Sequence, residues 1–367
     1  MKKRSKIIAA PLLLLSLFSV RAFSGEAGTA SALFLREDPT ARGFSMGGAY
    51  LALVNSPGAA YVNPAALGHI TGHQAELSLW RGLDGVSRYN YAGAALSAKK
   101  AGVFSVNYLS YGSGVEDVYD LDGNLTKVEL QKDYAISAGW GKNLGETFFA
   151  GGQIKSVSSK LAETYSASAL TFDTGLMYKS LNDRLTLGAG ARNMGGSLKY
   201  KSVSDPLPRA ITLDAGYRRM LRGNTFTAGL SLQRSLDSTT IDRGIGAEYC
   251  FAAIPLAVRA GLRQVEGEFK ASAGIGVSIK KVTFDYGFSG AGALAETAQR
   301  FSLRINFGPD TEAQRAAAYR EKGLRKKPAA MSSAKAAASV GHPIPTDKPK
   351  AKPKSRAKRK KPFGFSY

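Results

Sequence analysis

From Gly72 to Phe307 the apolar residues of this chain recur with a period of two rather than 3.6, which excludes most folds open to 367 residues. In 225–233, Phe226, Ala228, Leu230 and Leu232 share one face; Thr225, Thr227, Gly229, Ser231 and Gln233 share the other. Ile211, Leu213, Ala215 and Tyr217 alternate with Thr212, Asp214 and Gly216. Val282, Phe284, Tyr286 and Phe288 oppose Thr283, Asp285, Gly287 and Ser289, and Phe301, Leu303, Ile305 and Phe307 oppose Ser302, Arg304 and Asn306. Such a chain forms strands with one apolar and one polar face.

A soluble sandwich alternates in the same way, with its apolar faces inside and its polar faces in water. A transmembrane barrel turns the apolar face to lipid and the polar face to a lumen. Here the polar faces are rich in glycine and small hydroxyls (Gly188, Gly190, Gly229, Gly244, Gly246, Gly274, Gly276), not in the long charges of a solvated face. A crowded lumen fits that better. The expected fold is all-β: a transmembrane antiparallel barrel, which satisfies every backbone group in lipid.

About fourteen segments are legible, from 73–81 to 298–307. The connections between them sort by parity. The long ones (111–131 and 194–208) and the medium ones (158–165, 234–241 and 290–297) are all odd-numbered, and every even-numbered connection is short. A barrel with both chain ends on the periplasmic side gives this arrangement, with short turns there and longer loops outside. Trp80, Tyr89, Tyr108, Trp140 and Tyr178 near segment ends suit interfacial girdles, and equally suit ordinary strand aromatics.

The start of the chain, residues 1–24, has a basic MKKRSK, an apolar run Ile7–Val20 and a small-residue exit near Ala22 or Ser24, the layout of a secretory signal peptide. The run is short of the ~20 residues a spanning helix needs. Between it and the barrel (72–308) lies a segment, 25–71, without alternation. Its heart, ARGFSMGGAYLALVNSPGAAYVNPAAL from Ala41 to Leu67, is small and apolar. Gly43, Gly47 and Gly48 loosen its backbone, 55–58 is a turn cluster, and Asn63-Pro64 reads as a cap and first-turn proline opening a helix at Ala65. A fourteen-stranded barrel is too wide for small inward residues to fill, because ~8 strands already enclose an interior that side chains just pack. This segment is the expected hatch inside the lumen.

The net charge of +22 invites a nucleic-acid reading until it is divided along the chain. Residues 1–24 carry five cations and no acid, and 309–367 carry sixteen Lys/Arg against four acids, which leaves +5 for the body. No basic stripe marks a phosphate reader, and no nucleic-acid partner is expected. Residues 309–326 read as a short helix with charges complementary to its dipole; 327–367, rich in Lys, Pro and Ala, read as a disordered periplasmic tail with a possible anionic partner there.

Gly43-Phe44-Ser45-Met46-Gly47 fits G-x-S-x-G but lacks a preceding strand, and the only histidines are His69, His73 and His342. One cysteine, Cys250, and scattered histidines hold no metal, and no catalytic residue or cofactor is expected. Asp173, Asp214, Glu248, Arg259, Arg263, Asp285 and Arg304 fall on the polar faces and are candidate lumen charges. They either rigidify the barrel or line a solute path.

The steps Met46-Gly47-Gly48-Ala49 and Asn63-Pro64-Ala65, together with Gly43, resemble the N-terminal signature of the PorV/PorQ family of outer-membrane proteins, which is similar to FadL-type fatty acid transporters. The resemblance implies a fourteen-stranded barrel around a hatch spanning 42–67, sitting in outer-membrane lipid. It also implies one of two roles: moving hydrophobic small molecules, or serving as a shuttle for exported proteins in a type IX-like secretion pathway. The alternatives are a general porin, a structural protein anchored through its basic tail, and an outer-membrane hydrolase.

Overall fold

The computed structural model describes residues 30–82, 86–119, 123–291 and 298–307. The expected signal peptide (1–24), helix (309–326) and tail (327–367) lie outside the described residues. Before the first strand, two four-residue helices, α1 (Ala41–Phe44) and α2 (Ala59–Val62), alternate with 3-10 turns at Leu33–Arg36, Leu51–Leu53 and Pro64–His69. Then come β1 (Gln74–Gly82), β2 (Arg88–Ser97), β3 (Val103–Gly112), β4 (Val115–Tyr119), β5 (Leu125–Glu129) and β6 (Gln131–Asn143). The next six are β7 (Phe148–Leu161), β8 (Tyr165–Lys179), β9 (Leu185–Gly195), β10 (Ser197–Tyr200), β11 (Val203–Pro206) and β12 (Ala210–Leu221). The chain continues through β13 (Asn224–Ser235), β14 (Ile241–Cys250), β15 (Leu256–Val265), β16 (Glu268–Ile279), β17 (Val282–Ala291) and β18 (Ala298–Asn306).

Fourteen of these strands close into one antiparallel barrel, each paired with its predecessor and β18 returning to β1. The alternation sets the faces as expected. Leu79, Val106, Ile154, Leu176, Leu213 and Phe301 project from the outer surface, while Ser105, Asn107, Ser137, Gln153, Thr212 and Ser302 are buried. One irregularity interrupts the ladder. Between Phe172 and Thr174 the β8–β9 register shifts, Asp173 accepts the Asn193 backbone N–H at 2.7 Å, and Asn193 takes φ 55°, a conformation Asn tolerates.

Three sequence expectations change. The loops 111–131 and 194–208, read only as long connections, each hold a hairpin, β4–β5 and β10–β11, turned at Gly123 (φ 82°) and Lys201 (φ 52°). The medium connection 158–165 shrinks to a tight turn because β7 and β8 pair as far as Leu161 and Tyr165. Trp80 and Tyr89 do not belong to a girdle. Trp80 shares the inward face of β1 with Glu76 and Ser78, and Tyr89 is buried with its hydroxyl donating to the Phe34 carbonyl at 2.7 Å.

The core is the lumen. Met46, Leu51, Leu53, Ala65 and Leu67 of the N-terminal segment pack with Val103, Phe149 and Met177 of the wall. Phe34, Leu35 and Tyr61 pack with Tyr89, Tyr91, Leu109 and Val157, and with Leu198 and Leu207 from the second long loop.

Candidate functional site

Short-range capping shapes the lumen segment. The Thr40 hydroxyl accepts the Gly43 N–H at 3.2 Å and opens α1. Gly47 and Gly48 then take φ 60° and 78°, reversing the chain. The Asn63 side-chain oxygen Oδ1 accepts the Ala65 N–H at 3.0 Å, so the expected cap and first-turn proline are present, heading a 3-10 rather than an α-turn. The Asn63 amide donates to the Leu176 and Ala189 carbonyls at 3.2 and 3.1 Å, fixing this corner to the wall.

The wall receives the segment on rows of glycine. Gly216, Gly229, Gly246 and Gly261 are direct cross-strand partners on β12 to β15. A Cβ at Gly229 would lie 1.9 Å from the Ala49 carbonyl oxygen, and one at Gly246 would lie 2.3 Å from that of Met46. Gly141, Gly151, Gly175 and Gly190 form a second row on β6 to β9; there a Cβ at Gly151 would sit 2.4 Å from the Pro64 carbonyl. Backbone thus lies on backbone, a contact only glycine allows. Of the polar-face glycines singled out in the sequence, Gly188, Gly229, Gly244, Gly246 and Gly274 would each drive a Cβ into Leu51, Ala49, Gly47, Met46 or Ser45 at 2.5 Å or less. Gly190 faces Thr212 and Asn63, and Gly276 faces Asp285 and Arg259.

Charge completes the attachment. The Arg42 guanidinium donates to both Glu248 oxygens, at 2.9 and 2.7 Å. Glu248 also accepts Arg259 Nε at 2.6 Å, and Arg259 Nη1 lies 2.8 Å from Asp285. Arg304 donates to Asn55 Oδ1 at 2.7 Å. Nearer the long-loop end, Arg36 bridges Asp242 and Glu266 at 2.9 and 2.7 Å, with Arg263 3.7 Å from Asp242. The expected lumen charges all face inward, but they form separate groups. Glu248, Arg259, Asp285 and Arg304 gather beneath the segment. Asp173 belongs to a wall-to-wall cluster, pairing with Lys155 at 2.7 Å beside Gln153 at 3.2 Å and Asn193. Asp214 stands apart, its Oδ2 buried with no partner among the described residues.

Arg42, Lys155, Glu76 and Arg300 were missed as lumen charges. Their signal was present: Arg300 keeps the parity of Arg304, and Lys155 lies two residues from Gln153 on the polar face of β7.

Ser45 follows a four-residue helix and does not stand on the strand-to-helix turn that the G-x-S-x-G pattern requires. It is fully buried, and its hydroxyl donates to the Ala41 carbonyl at 2.5 Å.

Above this packed floor, at the long-loop end, a cavity of about 840 Å³ remains open, in the size range of ligand sites. Phe34, Phe44, Trp80, Tyr89, Tyr111 and Tyr200 give it an aromatic lining. Arg300, 1% exposed, lies over the Phe44 and Tyr89 rings at 4.4 and 5.3 Å and 3.7 Å from Glu37. Its Nε and Nη1, and Trp80 Nε1, are buried donors without a partner among the described residues. On the floor, Asp38 accepts from the Thr40 N–H at 3.0 Å and the Tyr50 hydroxyl at 3.1 Å. Removal from water nonetheless raises its pKa from the ordinary carboxylate value.

Fold and site together define a closed fourteen-stranded antiparallel barrel filled at one end by its own N-terminal segment and open to a cavity at the other. No protein-family model matches the chain, and no curated protein matches it in sequence. Solved structures do resemble it. The Pseudomonas putida toluene transporter TodX aligns with TM-score 0.53 and 14% identity, over 73% of this chain and 98% of that one. The Ralstonia pickettii toluene transporter TbuX gives 0.52 and 14%, over 74% and 98%. A Pseudomonas aeruginosa FadL homologue gives 0.50 and 13%, over 73% and 98%. At these identities the likeness is one of fold.

Proposed function

We propose that this chain is a FadL-like outer-membrane barrel that passes small hydrophobic molecules, with the aromatic cavity as entry site and residues 25–71 as the hatch. The observation that carries the reading is the cavity of about 840 Å³ whose floor is the N-terminal segment itself. A molecule entering from the long-loop end meets the hatch before it can meet the opposite side. The rings of Phe34, Trp80 and Tyr111 suit an apolar or amphipathic solute, and the similar structures TodX and TbuX, both toluene transporters, agree with that class. In this reading residues 1–24 are a signal peptide, 72–308 span the membrane, the short turns face the periplasm, and 309–367 extend there.

The motif residues Gly43, Met46 to Ala49 and Asn63 to Ala65 also fit a PorV/PorQ-type shuttle for exported proteins. The aromatic-lined cavity, open at the long-loop end, favours transport over a shuttle.

The chain has two tryptophans, so Trp140→Phe leaves Trp80 as sole reporter inside the cavity. Toluene or a long-chain fatty acid is expected to change its emission saturably, and proteoliposomes are expected to take the same compound up. Unchanged emission with no uptake, together with co-isolation of exported proteins, would favour the shuttle. Large conductance from the intact protein would favour a general porin.

A further inference from the structure

The short-turn rim carries a charge pattern that solute passage does not use. Three of its turns are dibasic and exposed: Lys99 and Lys100 after β2, Arg219 and Arg222 around the β12–β13 turn, and Lys280 and Lys281 after β16. Among the described residues of this rim the acids are Glu146, which is exposed, and Asp183, which Lys179 engages at 2.7 Å. The cations are therefore nearly uncompensated.

Their placement round the barrel identifies the partner. In the closed strand order the three pairs stand roughly a third of the circumference apart, and exposed Arg184, between β8 and β9, fills the widest gap. A folded acidic protein would meet charge on one flank. A plane meets it all round.

Beside these turns Leu144, Phe148, Leu181, Leu221 and Ile279 are exposed large apolar side chains. Apolar surface bordered by long cationic side chains matches acyl chains below and phosphate above, with Lys and Arg stems lying along the boundary. The opposite rim lacks this one-sidedness: Lys127 lies near Asp117 and Lys132 near Glu129, and Glu163, Glu266 and Glu268 are exposed.

We infer that the short-turn rim is a collar for the headgroups of anionic phospholipids in the leaflet it contacts. The inference rests on the membrane-spanning reading above. Full-length protein would be reconstituted in bilayers of phosphatidylcholine with a minor fraction of spin-labelled phosphatidylglycerol or phosphatidylcholine, and the motionally restricted fraction of each label compared. Phosphatidylglycerol is expected to associate roughly fivefold more strongly, the preference falling with added salt. Replacing all six dibasic residues by Gln should bring the ratio near one even with the basic tail intact, and Lys280→Gln with Lys281→Gln alone should lower it partway. Changing Lys127, Lys132 and Lys160 to Gln at the other rim should leave it unaltered. An inserted wild-type protein with no preference, or an equal loss from the other-rim variant, would overturn the collar while leaving the transport reading intact. Failure to insert at all would overturn the membrane-spanning reading and the collar with it.

Discussion

Wall and hatch share a lumen but are held by different physics. The wall is a continuous hydrogen-bonded ladder, and each strand is specified by its own alternation whatever lies inside. The hatch has no ladder. Its two α-helices are four residues long, far below the ~12 residues at which a helix begins to hold itself together. It is shaped by glycine rows and pinned by Arg42, Asn63 and Arg304. The wall can therefore form without the hatch, whereas the hatch has no structure to adopt without the wall.

The largest test of that contrast removes the hatch. Deleting residues 42–67 is expected to leave a heat-modifiable, assembled barrel that conducts in planar bilayers, while the intact protein stays nearly silent. A deletion variant that fails to assemble would show that the wall depends on the hatch.

Two buried charge clusters sharpen the comparison at the next level. Glu248 joins hatch to wall through Arg42 and Arg259; Lys155 joins wall to wall through Asp173. Removing one partner of such a pair strands the other, at about 3–5 kcal/mol. Arg42→Ala, which leaves Glu248 paired with Arg259, is expected to release the hatch, raising conductance and exposing 42–67 to protease while the unfolding midpoint of the barrel changes little. Lys155→Met is expected to lower that midpoint and leave the conductance low. The same phenotype from both variants would mean that wall and hatch unfold as one unit.

The glycine seat gives a smaller effect. Gly229→Val forces side-chain atoms into the Ala49 carbonyl, an overpacking cost of about 1–3 kcal/mol borne by hatch docking. Gly152→Ala is the control, since its Cβ would meet only the Asp173 carbonyl at 3.6 Å. Equal protease sensitivity of the two variants would count against the seat.

The same difference in physics explains what the sequence disclosed. A period of two is local, so the fourteen barrel strands could be read within a few residues, as could seven of the inward charges, although Glu76, Lys155 and Arg300 keep the same parity and were passed over. The hatch could be located by its lack of alternation and by its punctuation at Gly47, Gly48 and Asn63-Pro64. What it touches depends on cross-strand register, which brings Gly229 beside Gly246 from segments 17 residues apart in number, and no local pattern records that. The cavity was hidden for the same reason. Trp80 and Tyr89 are strand-end aromatics by position, and only the parity shared with Glu76 and Tyr91 turns them inward. The hairpins in 111–131 and 194–208 escaped because their strands are four or five residues long.

The finest distinction between hatch and wall is the response of Asp38 to pH. It sits where the hatch meets the cavity, and its removal from water raises its pKa more than Thr40, Arg300 and the Tyr50 hydroxyl lower it. An acid with a raised folded-state pKa binds its proton more tightly docked than released. Its contribution is therefore fully present below the released value, about 3.9, and is lost as pH rises through the docked value. Docking should thus tighten on mild acidification, seen as a fall in the residual conductance of the intact protein and slower proteolysis of 42–67. Asp38→Asn, neutral at every pH, should keep the tighter state and flatten the profile. The opposite slope in the wild type would assign the titration to Glu37, whose pKa Arg263 and Arg300 lower against the opposing effect of burial, and an unchanged slope in Asp38→Asn would assign it to a group other than either.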